Sequence, residues 1–151
     1  MRNGVRLALD LGLARVGVAR CDGLAMMSFP HDVVAWTDVE SLAAYIRNVV
    51  NEYDVLECVV GLPLDLQGNE SIAAIRVREV SEQLAQLIAP LPVRIVDERL
   101  TTKEARRSLQ AAGHTTRTDK KLIDAAAATV LLEHTLEAER RTGHAPGEIV
   151  E

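Results

Sequence analysis

The chain has 151 residues, of which 48% are hydrophobic and 26% are charged, a balance typical of one soluble globular domain. Aromatic residues make up only 3%, which argues against a protein that binds single strands mainly by stacking bases on exposed rings. The formal net charge is −5, and no apolar run reaches the ~18 residues that a membrane-spanning helix needs. We therefore expect a cytoplasmic protein without a signal peptide or a membrane span.

The first third of the chain has the pattern of three β-strands. Residues 5–10 form a nearly continuous apolar run, residues 15–19 alternate in polarity, and a third strand falls between Met26 and Ala35. The glycine-containing segment 11–14 between the first two strands is short enough for a tight turn. Three successive strands predict an antiparallel meander.

Helices and strands then alternate. Asp38 is placed to cap a helix that runs to about residue 53, with Leu42, Ile46, Val49 and Val50 on its buried face. A strand over 55–61, a helix over 71–88 and a strand over 93–98 follow, in the pattern of parallel crossovers. The residues predicted to form the buried face of the second helix are Ile72, Val80, Leu84, Leu87 and Ile88.

The last third has a helical pattern. Thr101 and Glu104 fit a capping box that begins a third helix ending near Gly113, and a long final helix spans about 119–141. The order is therefore β-β-β-α-β-α-β-α-α, an α/β arrangement. We place one domain over residues 1–142 and a flexible C-terminal tail over residues 143–151.

Acidic residues end or interrupt three apolar segments. Asp10 ends the first strand, Asp97 and Glu98 end the strand before the capping box, and Asp124 lies in the otherwise apolar stretch 122–128. Buried carboxylates are rare unless they are paired or bind a cation. If the three sites meet, their repulsion needs a divalent metal, and oxygen ligands suit Mg²⁺ or Mn²⁺. Two cations held ~3.5–4 Å apart would activate a water and stabilise the leaving oxygen of a phosphodiester.

Each acid also has an ordinary structural explanation. Asp10 could simply start a turn, and Asp97 and Glu98 could be solvated acids at a strand end. Because Asp97 and Glu98 point to opposite sides of the strand, periodicity does not decide which of them faces a site. Asp124 lies near the start of a helix, where the dipole favours an acid, yet its alanine neighbours would let that helix lie close to a sheet.

The segment from Arg99 to Lys121 contains seven basic residues and only two acidic ones, Glu104 and Asp119, which gives it a net charge of +5. Such a surface can hold phosphates even on an acidic protein, and a solvated helix face is the alternative interpretation. His114 is the one histidine that we consider near a substrate. Cys21 and Cys58 lie in apolar runs without metal-type spacing and are expected to be buried, reduced thiols.

Four segments resemble the YqgF family, small bacterial relatives of the RuvC Holliday-junction resolvases. They read LDLGLARVGVA at 9–19, VGLPL at 60–64, VDERLTT at 96–102 and KLIDAAA at 121–127. They occur in order along the whole chain apart from the tail. The resemblance implies a ribonuclease H-like nuclease domain with a five-stranded mixed sheet, three antiparallel strands followed by two parallel ones, flanked by helices.

The resemblance also implies that Asp10, Glu98 and Asp124 are the metal-binding catalytic acids, and it favours Glu98 over Asp97. The implied activity is Mg²⁺- or Mn²⁺-dependent hydrolysis that matures the 5′ end of pre-16S ribosomal RNA, by a monomer or a homodimer. The alternatives are cleavage of branched DNA and a non-catalytic nucleic-acid-binding role in ribosome assembly or transcription. The expected nucleic-acid-binding residues are Arg15, Arg99, Lys103, Arg106, Arg107, Arg117, Lys120 and Lys121.

The chain departs from the family pattern in the turn after Asp10. Family members commonly carry Thr and Lys before the arginine, whereas this chain has Leu13 and Ala14 before Arg15. A hydroxyl and a positive charge are therefore missing from the turn, which bears on phosphate binding there. Actin-like phosphotransferases open with a similar hairpin, but they need two such domains and a second glycine-rich phosphate loop, which this chain lacks.

Overall fold

The computed structural model describes residues 1–98 and 116–151, with side chains described over residues 1–98 and 125–151. The predicted capping box at Thr101 and the helix ending near Gly113 lie outside these residues. In chain order the elements are β1 (Val5–Leu11), β2 (Arg15–Cys21), β3 (Ser28–Ala35), α1 (Val39–Glu52), β4 (Val55–Leu62), α2 (Ile72–Leu87), β5 (Val93–Asp97), α3 (Thr116–Thr142) and β6 (Glu148–Ile149).

The described strands form one mixed sheet of six strands in the order β3-β2-β1-β4-β5-β6. β1, β2 and β3 are antiparallel neighbours, while β4 lies parallel to β1 and β5 lies parallel to β4. The α/β class, the meander and the parallel crossovers are therefore confirmed.

The predicted number of five strands was one too few. β6 pairs antiparallel with β5, and the backbone N–H of Val150 donates to the carbonyl of Val93 at 2.8 Å. Sequence pattern missed this strand because its two residues are too few to show alternation. Residues within the predicted tail thus extend the sheet, and the domain boundary at residue 142 stays a prediction.

The sheet packs on both faces because successive side chains of a strand point in opposite directions. Leu7, Leu9 and Leu11 of β1 belong to the large core cluster shared with α1 and α2. Ala8, between them, belongs to a smaller cluster that includes Ala128 of α3. Alanines on both sides let α3 pack closely on this second face.

The first two helices show where sequence pattern succeeds and where it does not. The Asp38 carboxylate caps α1 by accepting from the Ser41 N–H at 2.7 Å, and the predicted face of α1 is buried or half-buried. In α2 the prediction was wrong for Ile72 and Leu87, which are 87% and 38% exposed. The residues that α2 buries along its length are Ala74, Val77, Val80, Ser81 and Leu84.

Cys21 and Cys58 are buried free thiols, as predicted. Burial raises the pKa of both, that of Cys58 to about 12, so these groups stay protonated and unreactive. None of the described helices is long and apolar enough to cross a membrane.

Candidate active site

The candidate site lies at the edge of the sheet where the three parallel strands end. Asp10 is the penultimate residue of β1, Gly61 the penultimate residue of β4, and Glu98 directly follows β5. Leu9 is in register with Val60, and Gly61 is in register with Val96, so these ends align. Parallel strands place their carboxyl ends at one edge, as open α/β sheets commonly do around ligand sites.

The same three residues share one face of the sheet. Ala8, Val59 and Val96 belong to the cluster beneath α3, and Asp10, Gly61 and Glu98 each lie two positions further along. Because side-chain direction repeats every second residue, all three positions face the α3 side. The backbone N–H of Glu98 donates to the carbonyl of Leu62 at 3.1 Å, which extends the register of β5 by one residue.

Gly61 makes room for the second acid. A Cβ at position 61 would lie 3.0 Å from both the Cβ and the Cδ of Glu98, and closer still to its Oε2. The Glu98 side chain therefore lies across the bare backbone of β4, toward Asp10 on the far side. Glycine in a strand interior commonly marks such a close approach.

The two acids contact each other. Burial, the negative charges of Asp10 and Asp97, and a hydrogen bond with Asp10 raise the pKa of Glu98 to about 8. Two carboxylates that share a site cannot both ionise freely, so near neutral pH one of them holds a proton. Such a pair requires either a proton or a cation between its oxygens.

Sequence periodicity could not choose between Asp97 and Glu98, and the structure shows a clear difference. Asp97 is exposed at the end of β5, whereas Glu98 is half-buried and hydrogen-bonded to Asp10. The contact between Asp10 and Glu98 joins residues that are far apart in the sequence.

The third predicted acid, Asp124, lies in α3, and its side chain is outside the described residues. Ala125, Ala127 and Ala128, which follow it, are buried against the sheet. Among the residues whose side chains are described, no group of three or more Asp, Glu, His or Cys residues could hold a metal ion. The convergence of Asp124 with the other two acids therefore stays a prediction.

Only one of the predicted nucleic-acid-binding residues has a described side chain. Arg15 begins β2, is half-buried, and its carbonyl accepts from the Gly12 N–H at 2.9 Å to close the hairpin after Asp10. His114 is not among the described residues either. The remaining candidates lie outside the described residues (Arg99, Lys103, Arg106 and Arg107) or lie in α3 with side chains outside them (Arg117, Lys120 and Lys121).

Two residues near the site were missed in the sequence. Gly61 carried a usable signal, because it interrupts the apolar run of β4. Arg76 carried none, because its partners lie on the distant hairpin: it donates to the carbonyls of Leu11 and Gly12 at 3.4 and 3.2 Å. Contacts of this kind depend on how α2 packs on the sheet, which local pattern does not encode.

The sequence of this chain is similar to a described protein family and to named proteins over most of its length. The family model described as "RuvX: Holliday junction resolvase" matches residues 4–138. A protein of Streptomyces avermitilis named "Putative pre-16S rRNA nuclease" is 45% identical over 151 residues, which cover 100% of this chain and 97% of that one. A protein of the same name in Streptomyces coelicolor is 46% identical over 151 residues, covering 100% and 90% of the two chains.

Solved structures share the fold at low sequence identity. "T. thermophilus RuvC in complex with Holliday junction substrate" superposes with a TM-score of 0.58 at 16% identity, covering 96% of this chain and 99% of that one. The "Human cytomegalovirus terminase nuclease domain" superposes with a TM-score of 0.52 at 12% identity, covering 87% and 83%. The likeness to RuvC confirms the ribonuclease H-like fold predicted from the sequence.

Proposed function

The chain belongs to the RuvX family, and from this premise we propose that it is a metal-dependent endonuclease that hydrolyses phosphodiester bonds during 5′-end maturation of pre-16S ribosomal RNA. The names of its Streptomyces relatives support the RNA substrate. The observation that carries the proposal is the contact between Asp10 and Glu98 at the sheet edge. We further propose that the protein acts in the cytoplasm, as a monomer or a homodimer.

The donor set fits a hard divalent cation. Asp10 and Glu98 offer only carboxylate oxygens, which suit Mg²⁺ or Mn²⁺ better than softer metals. Their mutual repulsion, expressed in the raised pKa of Glu98, is the kind that a bound cation relieves. When bound, the metal supplies an activated water and stabilisation of the leaving oxygen.

The chain's own residues hold and orient this site. Asp10 is fixed within β1, which is paired on both sides, so its carboxylate has a rigid base. The backbone N–H of Glu98 donates a hydrogen bond to the carbonyl of Leu62, which holds its backbone. The missing Cβ of Gly61 leaves room for its side chain. This fixed geometry would position a phosphate oxygen and the attacking water with little rearrangement.

We propose that Asp124 is the third acid of the site, because of the direction in which α3 runs relative to β1. Glu139, near the end of the helix, accepts from Arg6 near the start of β1 at 2.6 Å. Earlier residues of α3 are therefore expected to lie beside later residues of β1, in the direction of Asp10. Ala128 packs on the sheet, and position 124 lies one turn earlier on the same face of the helix.

We propose that a basic surface beside the acids binds the nucleic-acid backbone by neutralising phosphates. Its residues come from the hairpin, from the segment after β5 and from the start of α3. They are Arg15, Arg99, Lys103, Arg106, Arg107, Arg117, Lys120 and Lys121.

Cleavage of a pre-16S RNA fragment that spans the mature 5′ end tests the proposal. Wild type should cut this RNA with Mg²⁺ or Mn²⁺ and lose activity in EDTA. Asp10→Asn, Glu98→Gln and Asp124→Asn should each abolish cleavage while the variants remain folded. Asp97→Asn is the matched control, because it removes an adjacent acid that is exposed, and it should retain most of the activity.

Metal binding provides a second measurement that does not depend on turnover. Calorimetric titration with Mn²⁺ should show binding to wild type and to Asp97→Asn, and weakened binding to the three proposed ligand variants. RNA binding without cleavage, and without any difference in metal affinity among these proteins, would contradict nuclease action and favour a non-catalytic role in ribosome assembly or transcription.

Branched DNA is the second candidate substrate, favoured by the description of the family model as a Holliday junction resolvase. A four-way DNA junction should be tested beside the RNA under the same metal and salt conditions. Faster cleavage of the junction than of the RNA, with the same three acids required, would replace the RNA proposal with the DNA one.

A further inference from the structure

The guanidinium of Arg76 reaches from α2 to the turn that follows Asp10. Its Nη1 donates to the carbonyl of Leu11 at 3.4 Å and its Nη2 donates to the carbonyl of Gly12 at 3.2 Å. These are the first and second residues after Asp10. A cationic side chain of another element is therefore attached to the backbone next to the candidate site.

Trp36 holds this guanidinium from a second side. The centre of the Arg76 guanidinium lies 5.0 Å from the centroid of the indole ring, a cation–π distance. The backbone N–H of Trp36 donates to the carbonyl of Ala14 at 3.0 Å, so the indole is itself tied to the hairpin. Arg76 is consequently preorganised, and little side-chain entropy would be lost when it binds a ligand.

The positive charge of Arg76 is not neutralised by its contacts. Both hydrogen-bond acceptors are neutral carbonyls, and no ion pair joins Arg76 to a carboxylate within the part of the chain that the structure describes. Arg78 is different, because it pairs with Glu70 at 2.6 Å and with Glu148 at 2.8 Å. Of these two arginines on α2, only Arg76 has no ion pair with a described carboxylate, and it lies at the turn after Asp10 on the α2 side of the sheet, whereas the Asp10 side chain faces α3.

Leu13 and Ala14, the two residues between Gly12 and Arg15, supply no cation at the tip of the hairpin. Leu13, which is 85% exposed, and Ala14 have side chains that cannot bind an anion. A half-buried guanidinium has five N–H donors, and the contacts of Arg76 with described residues use two of them. The remaining donors match the non-bridging oxygens of a phosphate.

We propose that Arg76 binds a phosphate of the nucleic-acid backbone next to the one that is cleaved, while its bonds to Leu11 and Gly12 fix the turn that carries Asp10. This inference rests on the proposed function and adds a residue that lies outside the basic segment from Arg99 to Lys121. The ligand is a phosphodiester, so the contact carries no base specificity.

The test is the salt dependence of RNA binding, measured in EDTA so that the RNA is not cut. The probe is the fluorescein-labelled pre-16S fragment, followed by anisotropy over a series of potassium chloride concentrations. Loss of one phosphate contact in Arg76→Gln should reduce the slope of log K against log salt by about 0.7 for single-stranded RNA. The matched control Arg78→Gln should keep the wild-type slope, because its charge is already paired.

Arg76→Lys provides a second variant in case the glutamine protein does not fold. Lysine keeps the charge but loses the planar fork and the stacking on Trp36, so binding should weaken while the salt slope is preserved. A lysine variant that binds with wild-type affinity would overturn the proposal. So would a folded Arg76→Gln protein whose slope equals that of wild type.

The two proposals fail in different ways. If wild type cleaves RNA with the three acids required, and Arg76→Gln keeps the full salt slope, only the phosphate contact is wrong. If wild type neither binds nor cleaves the RNA or the DNA junction, the proposed function fails and this inference fails with it.

Discussion

The carboxylate of Glu98 lies directly against the backbone of Gly61, in space that any larger residue would fill. A Cβ at position 61 would stand 3.0 Å from the Cβ and the Cδ of Glu98 and nearer still to Oε2. Glycine in the interior of a buried strand costs backbone entropy and offers no side chain to pack. A glycine at position 61 is explained by the side chain of Glu98, which lies over this position where it contacts Asp10.

Gly61→Ala should therefore disable the site while leaving both acids present. The added methyl group must displace Glu98 from Asp10, and a misplacement of about 1 Å near reacting groups can cost about 100-fold in rate. The measurement is the rate of RNA cleavage at saturating Mg²⁺, together with the Mn²⁺ affinity, which should fall as well.

Gly23→Ala is the matched control, because a Cβ at position 23 would meet nothing within 4 Å. This variant should cleave RNA at the wild-type rate. A Gly61→Ala protein that is folded and fully active would show that the position of Glu98 above the strand does not matter for cleavage.

The pKa of Glu98 leads to a prediction about stability in the absence of metal. Burial and the nearby acids raise it from the ordinary 4.5 to about 8, so the folded protein binds a proton that the unfolded chain has released. Stability from this group is complete below pH 4.5 and is lost as the pH rises toward about 8. Glu98→Gln removes the ionisable group, so in EDTA this variant should exceed wild type in free energy of unfolding at pH 9 but not at pH 4.5.

Urea denaturation across this pH range measures the difference. Addition of Mg²⁺ is the internal control, because a cation should stabilise the wild-type carboxylate pair at high pH and have much less effect on Glu98→Gln. Parallel stability curves for the two proteins in EDTA would contradict the raised pKa.

Much of the fold could be predicted because its determinants are local. The alternating polarity of residues 15–19 and the apolar run of residues 5–10 define the first hairpin. Asp38 indicates the start of α1 because its side-chain oxygen caps the helix. Ile72 misled the prediction, because it is large and apolar yet lies on the exposed side of α2. The helix instead buries a stripe that includes Ala74 and Ser81, whose small size hid the pattern.

The site could be predicted only in part for a similar reason. Asp10 and Glu98 stood out as acids at the ends of apolar runs, but alternation alone treats Asp97 and Glu98 equally. The choice depends on which face of β5 packs under α3, and the burial of Val96 in that cluster decides it. Arg76 approaches the turn only after α2 has packed, so no sequence spacing could reveal it.

The cap of α1 should contribute to stability without affecting cleavage. Asp38→Ala removes the acceptor for the Ser41 N–H and should lower the free energy of unfolding. Asp38→Asn is the control, since asparagine caps helices nearly as well as aspartate. Urea denaturation of both proteins tests the difference, and equal losses would show that the charge, and not the hydrogen bond, stabilises the helix start.

A buried ion-pair cluster anchors the other end of α3. Arg6 donates to Oε2 of Glu139 at 2.6 Å, and only 1% of Arg6 and 3% of Glu139 are exposed. Arg2 bridges Glu139 and Glu57, and Arg94 donates to Glu57 at 3.1 Å. Because the cluster joins α3 to β1, β4 and β5, it helps to fix the position of the helix that carries Asp124.

Glu139→Gln should destabilise the protein strongly, because it leaves Arg6 buried without its counter-charge, a loss of about 3–5 kcal/mol when such pairs are broken. Burial by itself would raise the pKa of Glu139, but hydrogen bonds from Arg2 and the charges of Arg6 and Arg2 lower it below 4.5. Stability from this carboxylate is therefore present above pH 4.5 and is lost as the pH falls through the lowered value.

The matched control is Glu137→Gln, the same change two residues earlier on the same helix, where the acid is exposed and pairs with Arg140 at 2.7 Å. An exposed pair of this kind contributes about 0.5 kcal/mol or less, so this variant should resemble wild type. Urea denaturation at pH 7 compares the two variants, and repetition at lower pH should narrow the gap between Glu139→Gln and wild type. Equal stability of the two variants at pH 7 would mean that the cluster does not anchor α3, and Asp124 would then need another explanation for a fixed position.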